Sequence, residues 1–271
     1  MDNRPLGVFD SGLGGLTAVS RLREVLPGED IIYFGDTGRV PYGGRSRDTL
    51  IKYARQDIAF LMQHNIKAIV VACGTVSTTA LDVIAPEYAL PIFGVVRPAA
   101  ERAAKLSKNG RIGLIGTVAS IKSGAYERTI REFSPEARIF SAACPLFVPL
   151  VENGRFHRGD AVIEQVVREY LTPLKEEGID TLILGCTHYP LLEDVIGDFM
   201  GENVKLVSPG GETALAVAQE LERTGMLGEK SSDGCCTFFV SDDPGGFAPL
   251  ASVFLGGDLR GSVSKVDIDA L

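Results

Sequence analysis

Short apolar runs alternate along the chain with segments whose apolar residues recur every three or four positions. Leu6 to Phe9 reads as a strand that stops at Asp10-Ser11-Gly12, and Leu16, Val19, Leu22 and Leu26 then mark a helix closed by Pro27-Gly28. Ile31 to Phe34 is the next strand, followed from Gly35 to Arg47 by an irregular loop rich in Gly, Pro and Arg. With Ser46 as N-cap, Leu50, Ile51, Ala54, Ile58, Leu61 and Met62 predict a helix up to Asn65. A strand from Ala68 then runs through Ala72 into Cys73-Gly74-Thr75 and a helix.

The same grammar continues. Pro91 to Val96 and Arg111 to Gly116 are strands, with a helix from Pro98 to Leu106 between them and a Thr/Ser turn after the second. Ala125 to Phe133 reads as helical and Ala137 to Phe140 as extended, and two prolines break the apolar segment from Cys144 to Gly154. Val162, Ile163, Val166, Val167, Tyr170, Leu171 and Leu174 mark a helix stopped at Gly178, and the strand Thr181 to Leu184 leads into Gly185-Cys186-Thr187-His188. Strands at Val204 to Val207 and Thr237 to Val240, a helix from about Glu212 to Glu222 and a short tail helix near Phe247 to Phe254 complete the pattern. Several strands are apolar throughout, which predicts an α/β fold with a mostly parallel sheet covered on both faces. Ligands in such folds bind beyond the carboxyl ends of the strands, where Asp10, Ser11, Cys73 and Cys186 are expected. A faint repeat is visible as well: Asp10 and Gly116 end similar strands at similar distances upstream of Cys73 and Cys186.

Composition narrows the function classes. The 271 residues are 45% apolar, enough for substantial cores, and 27 basic against 35 acidic residues give a net charge of −8 without any Lys/Arg run. Nucleic acid is therefore not an expected partner. Apolar strings are strand-sized, well below the ~20 residues that span a bilayer, and Met1-Asp-Asn-Arg-Pro5 lacks a signal-peptide pattern. No membrane association and a cytoplasmic location are expected. Five cysteines, at 73, 144, 186, 235 and 236, are an odd number without a Cys-x-x-Cys, and only His188 of three histidines lies near one. Free thiols fit this better than a disulfide framework, and a zinc site is the weaker reading.

Two of the thiols stand apart. A cysteine at a strand-to-helix turn meets helix N–H groups that stabilise a thiolate, and Cys73 and Cys186 occupy matched turns with hydroxyls beside them. Packing alone accounts for Cys144, Cys235 and Cys236. Paired thiols across a cleft suggest either a redox disulfide or a two-base proton transfer; their wide separation in sequence suits opposed bases, one on each face of a carbon. Ser11, Thr75, Ser77 and Thr187 are candidate carboxylate ligands or simple helix caps, and Asp10 is either an N-cap or an acid facing the site. Gly12-Leu-Gly14-Gly15 is not a dinucleotide loop, since Thr17 stands where a third glycine belongs.

These motifs, taken in order, resemble a known family. Val8 to Leu16, Tyr33 to Thr37, Val40 to Gly43, Ala72 to Thr75, Ile121 to Tyr126, Ala143 to Glu152 and Leu184 to Leu191 are similar to the glutamate racemases of the cofactor-independent aspartate/glutamate racemase superfamily. The resemblance implies two pseudo-symmetric, doubly wound α/β domains with the site in the cleft between them. Residues 1–96 with 208–271 would form the domain carrying Cys73, and 97–207 the domain carrying Cys186. It further implies interconversion of L- and D-glutamate for peptidoglycan synthesis, no cofactor, no metal and a homodimer. Cys186 then acts on L-glutamate and Cys73 on D-glutamate, assisted by Asp10, His188 and Glu152. Asp10, Ser11, Tyr42, Gly43, Gly74, Thr75, Thr187 and His188 fall at substrate-contacting positions. One departure stands out: the family usually has Asn after the first cysteine, where this chain has Gly74, and a lost polar contact costs about 1–3 kcal/mol. That departure keeps two alternatives in view, a racemase of aspartate or a related diacid and an inactive glutamate-binding homologue.

Overall fold

The computed structural model describes residues 1–229, 233–259 and 261–271. Strands β1 (Leu6–Asp10), β2 (Ile31–Gly35), β3 (Ala68–Val71) and β4 (Ile92–Gly94) pair in the order β2-β1-β3-β4. A second sheet holds β5 (Arg111–Gly116), β6 (Arg138–Ala143), β7 (Thr181–Leu184) and β8 (Lys205–Val207) in the order β6-β5-β7-β8. The two orders are the same, so the faint sequence repeat is a repeat of topology. Chain from the far end returns to the first sheet, where β9 (Cys236–Val240) pairs with β2 and β10 (Val263–Lys265) with β9. Every strand pairing among the described residues is parallel.

Helices cover both faces: α1 (Leu16–Val25), α2 (Arg47–Met62), α3 (Gly74–Thr79), α4 (Leu81–Ile84), α5 (Val96–Leu106), α6 (Val118–Ser123), α7 (Ala125–Phe133), α8 (Phe147–Glu152), α9 (Ala161–Glu176), α10 (Glu193–Met200), α11 (Pro209–Thr224) and α12 (Pro244–Leu255). β1, β3 and β7 are buried at every position, the reason their sequences are apolar without alternation. Leu6, Val8, Val70 and Phe238 pack with α1, α11 and α12 on one face of the first sheet. On its other face Phe9, Phe34, Ile69 and Val71 pack with Leu50, Ile58 and Leu61 of α2.

Some boundaries differ from the pattern-based expectation. The strand expected to reach Val96 ends at Gly94, and α5 begins at Val96 with Pro98 in its first turn. The broken apolar segment after Cys144 contains α8, whose Pro149 also lies in a first turn. Proline is tolerated there because the first N–H groups of a helix have no intrahelical acceptor to lose. The tail helix starts at Pro244, capped by Asp243, which accepts from the N–H groups of Gly245 and Gly246. Among the described residues no helix is long and apolar enough to cross a membrane.

Candidate active site

The carboxyl ends of both sheets meet. Cys73 follows β3 and is the N-cap of α3; Cys186 follows β7 in a tight turn closed by its N–H on Leu184 O at 2.8 Å. These strands are equivalent in the two sheets, and both thiols are buried and free. Their loops touch. A Cβ placed on Gly74 would stand 2.9 Å from the Gly185 carbonyl oxygen and 3.8 Å from Cys186 Cα. Thr17 Oγ1, on α1, donates to Thr187 O at 2.9 Å, and Thr75 Oγ1 lies 3.2 Å from Thr117 Oγ1, so hydroxyls join the two halves.

Each thiol has its own acid–base surroundings. Cys73 lies against Asp10 and Ser11: burial and then the Asp10 carboxyl push its pKa up to about 12, against hydrogen bonds from Val76 N–H and from the Ser11 side chain and backbone. Asp10 ends β1 fully buried, and burial raises its pKa against the charge of His188 and the N–H groups of Gly12, Gly15 and Ser11. Its Oδ2 accepts from Gly12 N at 2.9 Å, whereas Oδ1 has no hydrogen-bond partner among the described residues.

On the other side Cys186 Sγ is 4.0 Å from His188 Nδ1, and His188 Nε2 is 2.9 Å from Glu152 Oε1. Burial opposes charge on that ring, but hydrogen bonds to Cys186 and Glu152 outweigh it and raise the His188 pKa to about 10. The imidazole is thus biased toward its protonated form beside the Cys186 sulfur. Phe254 of α12 stands edge-on to the ring with centroids 5.2 Å apart. Gly14 has to be glycine here, because a Cβ would fall 2.2 Å from Thr187 Oγ1 and 2.5 Å from His188 Nδ1.

Tyr42 and Gly43 approach from a short 3₁₀ turn. The Tyr42 hydroxyl donates to Asp36 Oδ2 and lies 3.2 Å from Asp57 Oδ2, which anchors the turn. Arg39 binds both carboxylates, at 2.6 Å to Asp36 and 3.0 Å to Asp57. A Cβ on Gly43 would lie 3.2 Å from Thr117 Cβ. Ser77 is turned away, donating to Val71 O at 3.0 Å.

Sequence reasoning did not single out Thr117, Thr17 or the Arg39–Asp36–Asp57 cluster. Asp57 left a readable trace, since it interrupts the inward stripe Leu50, Ala54, Ile58, Leu61 of α2. Thr117 left less: it caps α6, accepting from Ser120 N at 3.2 Å, and a capping threonine looks the same with or without a ligand. Among the described residues no group of three or more His, Cys, Asp or Glu side chains could hold a metal ion.

The Asp/Glu/Hydantoin racemase family model matches residues 24–217. The glutamate racemase of Geobacter metallireducens is 46% identical over 267 residues, 98% of each chain. The structure superimposes on that of the glutamate racemase from Francisella tularensis in complex with D-glutamate, with a TM-score of 0.92, 36% identity and full coverage of both chains. Against the Bacillus anthracis glutamate racemase the TM-score is 0.93 at 37% identity, covering 98% of this chain and 99% of the other.

Proposed function

This chain belongs to the Asp/Glu/hydantoin racemase family, and from that premise we propose that it racemises glutamate, without a cofactor, by proton transfer between two opposed thiols. The D-glutamate it makes supplies peptidoglycan synthesis. One observation carries the reading: two buried cysteines end equivalent strands, on loops in van der Waals reach of each other, each with its own acid–base partners.

The α-carbon of bound glutamate sits between the sulfurs. Starting from L-glutamate, Cys186 as thiolate takes the α-proton while the Cys73 thiol gives one to the opposite face. The pair ends with Cys186 protonated and Cys73 as thiolate, ready for the reverse reaction. Burial and the Asp10 carboxyl bias Cys73 toward its thiol form, which suits it to give a proton in this direction. The unpartnered Oδ1 of Asp10 accepts from the substrate ammonium group. His188, held by Glu152, presents a positive charge and a proton at Cys186. Ser11, Thr75, Thr187, Gly74 and the backbone of Tyr42 and Gly43 take the two carboxylates, whose anchoring fixes Cα between the thiols to the tolerance proton transfer needs.

The two sheets serve as two domains, 1–96 with 208–271 and 97–207, that close on the substrate. The same reading places the enzyme in the cytoplasm as a homodimer, and sedimentation equilibrium tests the assembly: a single species of 29.0 kDa overturns it. For the activity itself, purified protein is incubated with L-glutamate in deuterated water without additives. D-glutamate carrying deuterium at Cα is expected, with L-aspartate left unchanged; absence of inversion refutes the assignment.

A further inference from the structure

We infer that residues 266–271 are a positioning element of the site: packed on α2, they hold Gln56 and Arg39 in place, and through them the Tyr42–Gly43 turn against which substrate lies. The inference rests on the reading above that the backbone of this turn takes a substrate carboxylate. Arg39 is engaged on every side. Its Nε donates to Asp36 Oδ2 at 2.6 Å, its Nη2 to Asp57 Oδ1 at 3.0 Å and its Nη1 to Gln56 Oε1 at 2.6 Å, while Cζ lies 4.2 Å from the centroid of the Tyr53 ring. Tyr42 leans on the same group. Its hydroxyl donates to the Asp36 oxygen that Arg39 also takes, and its ring centroid is 5.4 Å from that of Tyr53. The tail closes this cluster from outside: Gln56 Nε2 donates to Ile268 O at 3.4 Å, and Ile268, in a 3₁₀ turn (Ile268–Ala270), is buried in the same apolar cluster as Tyr42, Leu50 and Ala54. Val266 N–H, bonded to Val240 O at 2.8 Å, ties the segment to β9. Asp269 also stands 3.8 Å from Arg39 Nη1, but it is 81% exposed and adds little, so the buried Ile268 and the Gln56 amide carry the contact. Without that cover, water reaches the guanidinium and weakens its hold on two buried carboxyls. On the opposite side a Cβ on Gly43 would lie 3.2 Å from Thr117 Cβ, so a turn that loosens at Arg39 also loosens at the seam between the halves.

The test measures kcat and KM for L- and D-glutamate in wild type, in the chain truncated after residue 265, in Gln56→Leu and in Ile268→Leu. Truncation and Gln56→Leu should each raise KM about tenfold, the scale of one lost hydrogen bond to substrate, with kcat within about twofold of wild type. The thiols and their partners Asp10, His188 and Glu152 are untouched by either change. Ile268→Leu keeps the volume of the apolar anchor and should keep the wild-type KM. A merely structural role would read differently, since fewer folded molecules lower the apparent kcat and leave KM alone. Gln56→Leu leaves the tail in the chain, so the inference stays open to refutation even where the truncated chain does not fold. Wild-type KM in the truncated chain or in Gln56→Leu, or a loss confined to kcat, would overturn the inference. Failure of the wild type to racemise glutamate would instead sink the functional reading beneath it.

Discussion

Cys73 and Cys186 were readable because a thiol directly after a buried strand, followed by hydroxyls, is a strong local signal. Their partners were less so. His188 lies two residues from Cys186, but Glu152 reaches it only through the fold, and the direction of the Tyr42 side chain depends on two carboxylates, one of them on α2. Replacing His188 by Asn removes the charge facing Cys186 and should lower kcat/KM about a hundredfold, the lower range for losing a positioned acid–base group. Because the substrates are enantiomers, the equilibrium constant is unity and the fall must be equal in both directions; unequal falls in kcat/KM would mean that the assay is not reporting racemisation. His188 also links stability to pH. Its pKa rises from 6.5 to about 10 on folding, so its contribution is complete below pH 6.5 and is lost as pH climbs toward 10. The Tm of wild type should accordingly fall relative to that of His188→Asn between pH 7 and 10, and parallel curves would contradict a pKa raised by Cys186 and Glu152.

At the scale of elements the alternation of strand and helix was legible almost throughout, since fully buried parallel strands must be apolar at every position. The short α6 and α8 were not, being six residues each, too short for a periodic stripe and, in α8, interrupted by proline. Nor was the cluster that supports the Tyr42–Gly43 turn. Arg39 joins Asp36 and Asp57, both fully buried, and burial and then Asp36 push the Asp57 pKa well up. Removing the cation leaves two buried carboxyls without it, a loss of the kind that costs about 3–5 kcal/mol. Arg39→Met should show that loss in urea unfolding, with a raised KM because the Gly43 backbone loses its support; a variant within 1 kcal/mol of wild type would contradict this role. Thr17→Val, which deletes one bond across the seam, should cost about 1 kcal/mol and raise KM modestly.

The repeat seen dimly in the sequence is, at the scale of the molecule, one sheet order used twice. What local pattern could not reveal is long-range: that β9 and β10 complete the first sheet, and that the two cysteine loops close until a glycine touches a carbonyl. Gly74 stands in the sequence where the family usually has Asn, and in the structure it lies beside the other cysteine loop, a Cβ there falling 2.9 Å from the Gly185 carbonyl oxygen. Closure also predicts that a ligand bound between the sheets stabilises the whole chain. D-glutamate at a hundred times its Kd should add about 2.7 kcal/mol and raise Tm by several degrees, whereas an unchanged Tm would place the ligand elsewhere.

The central claim is that each thiol serves one face of Cα, and α-proton exchange in Cys73→Ala and Cys186→Ala tests it most directly. In deuterated water Cys73→Ala should incorporate deuterium into L-glutamate but not D-glutamate, Cys186→Ala should do the reverse, and neither should invert its substrate at a measurable rate. Wild-type inversion by either variant, or exchange of the same enantiomer by both, would contradict the account.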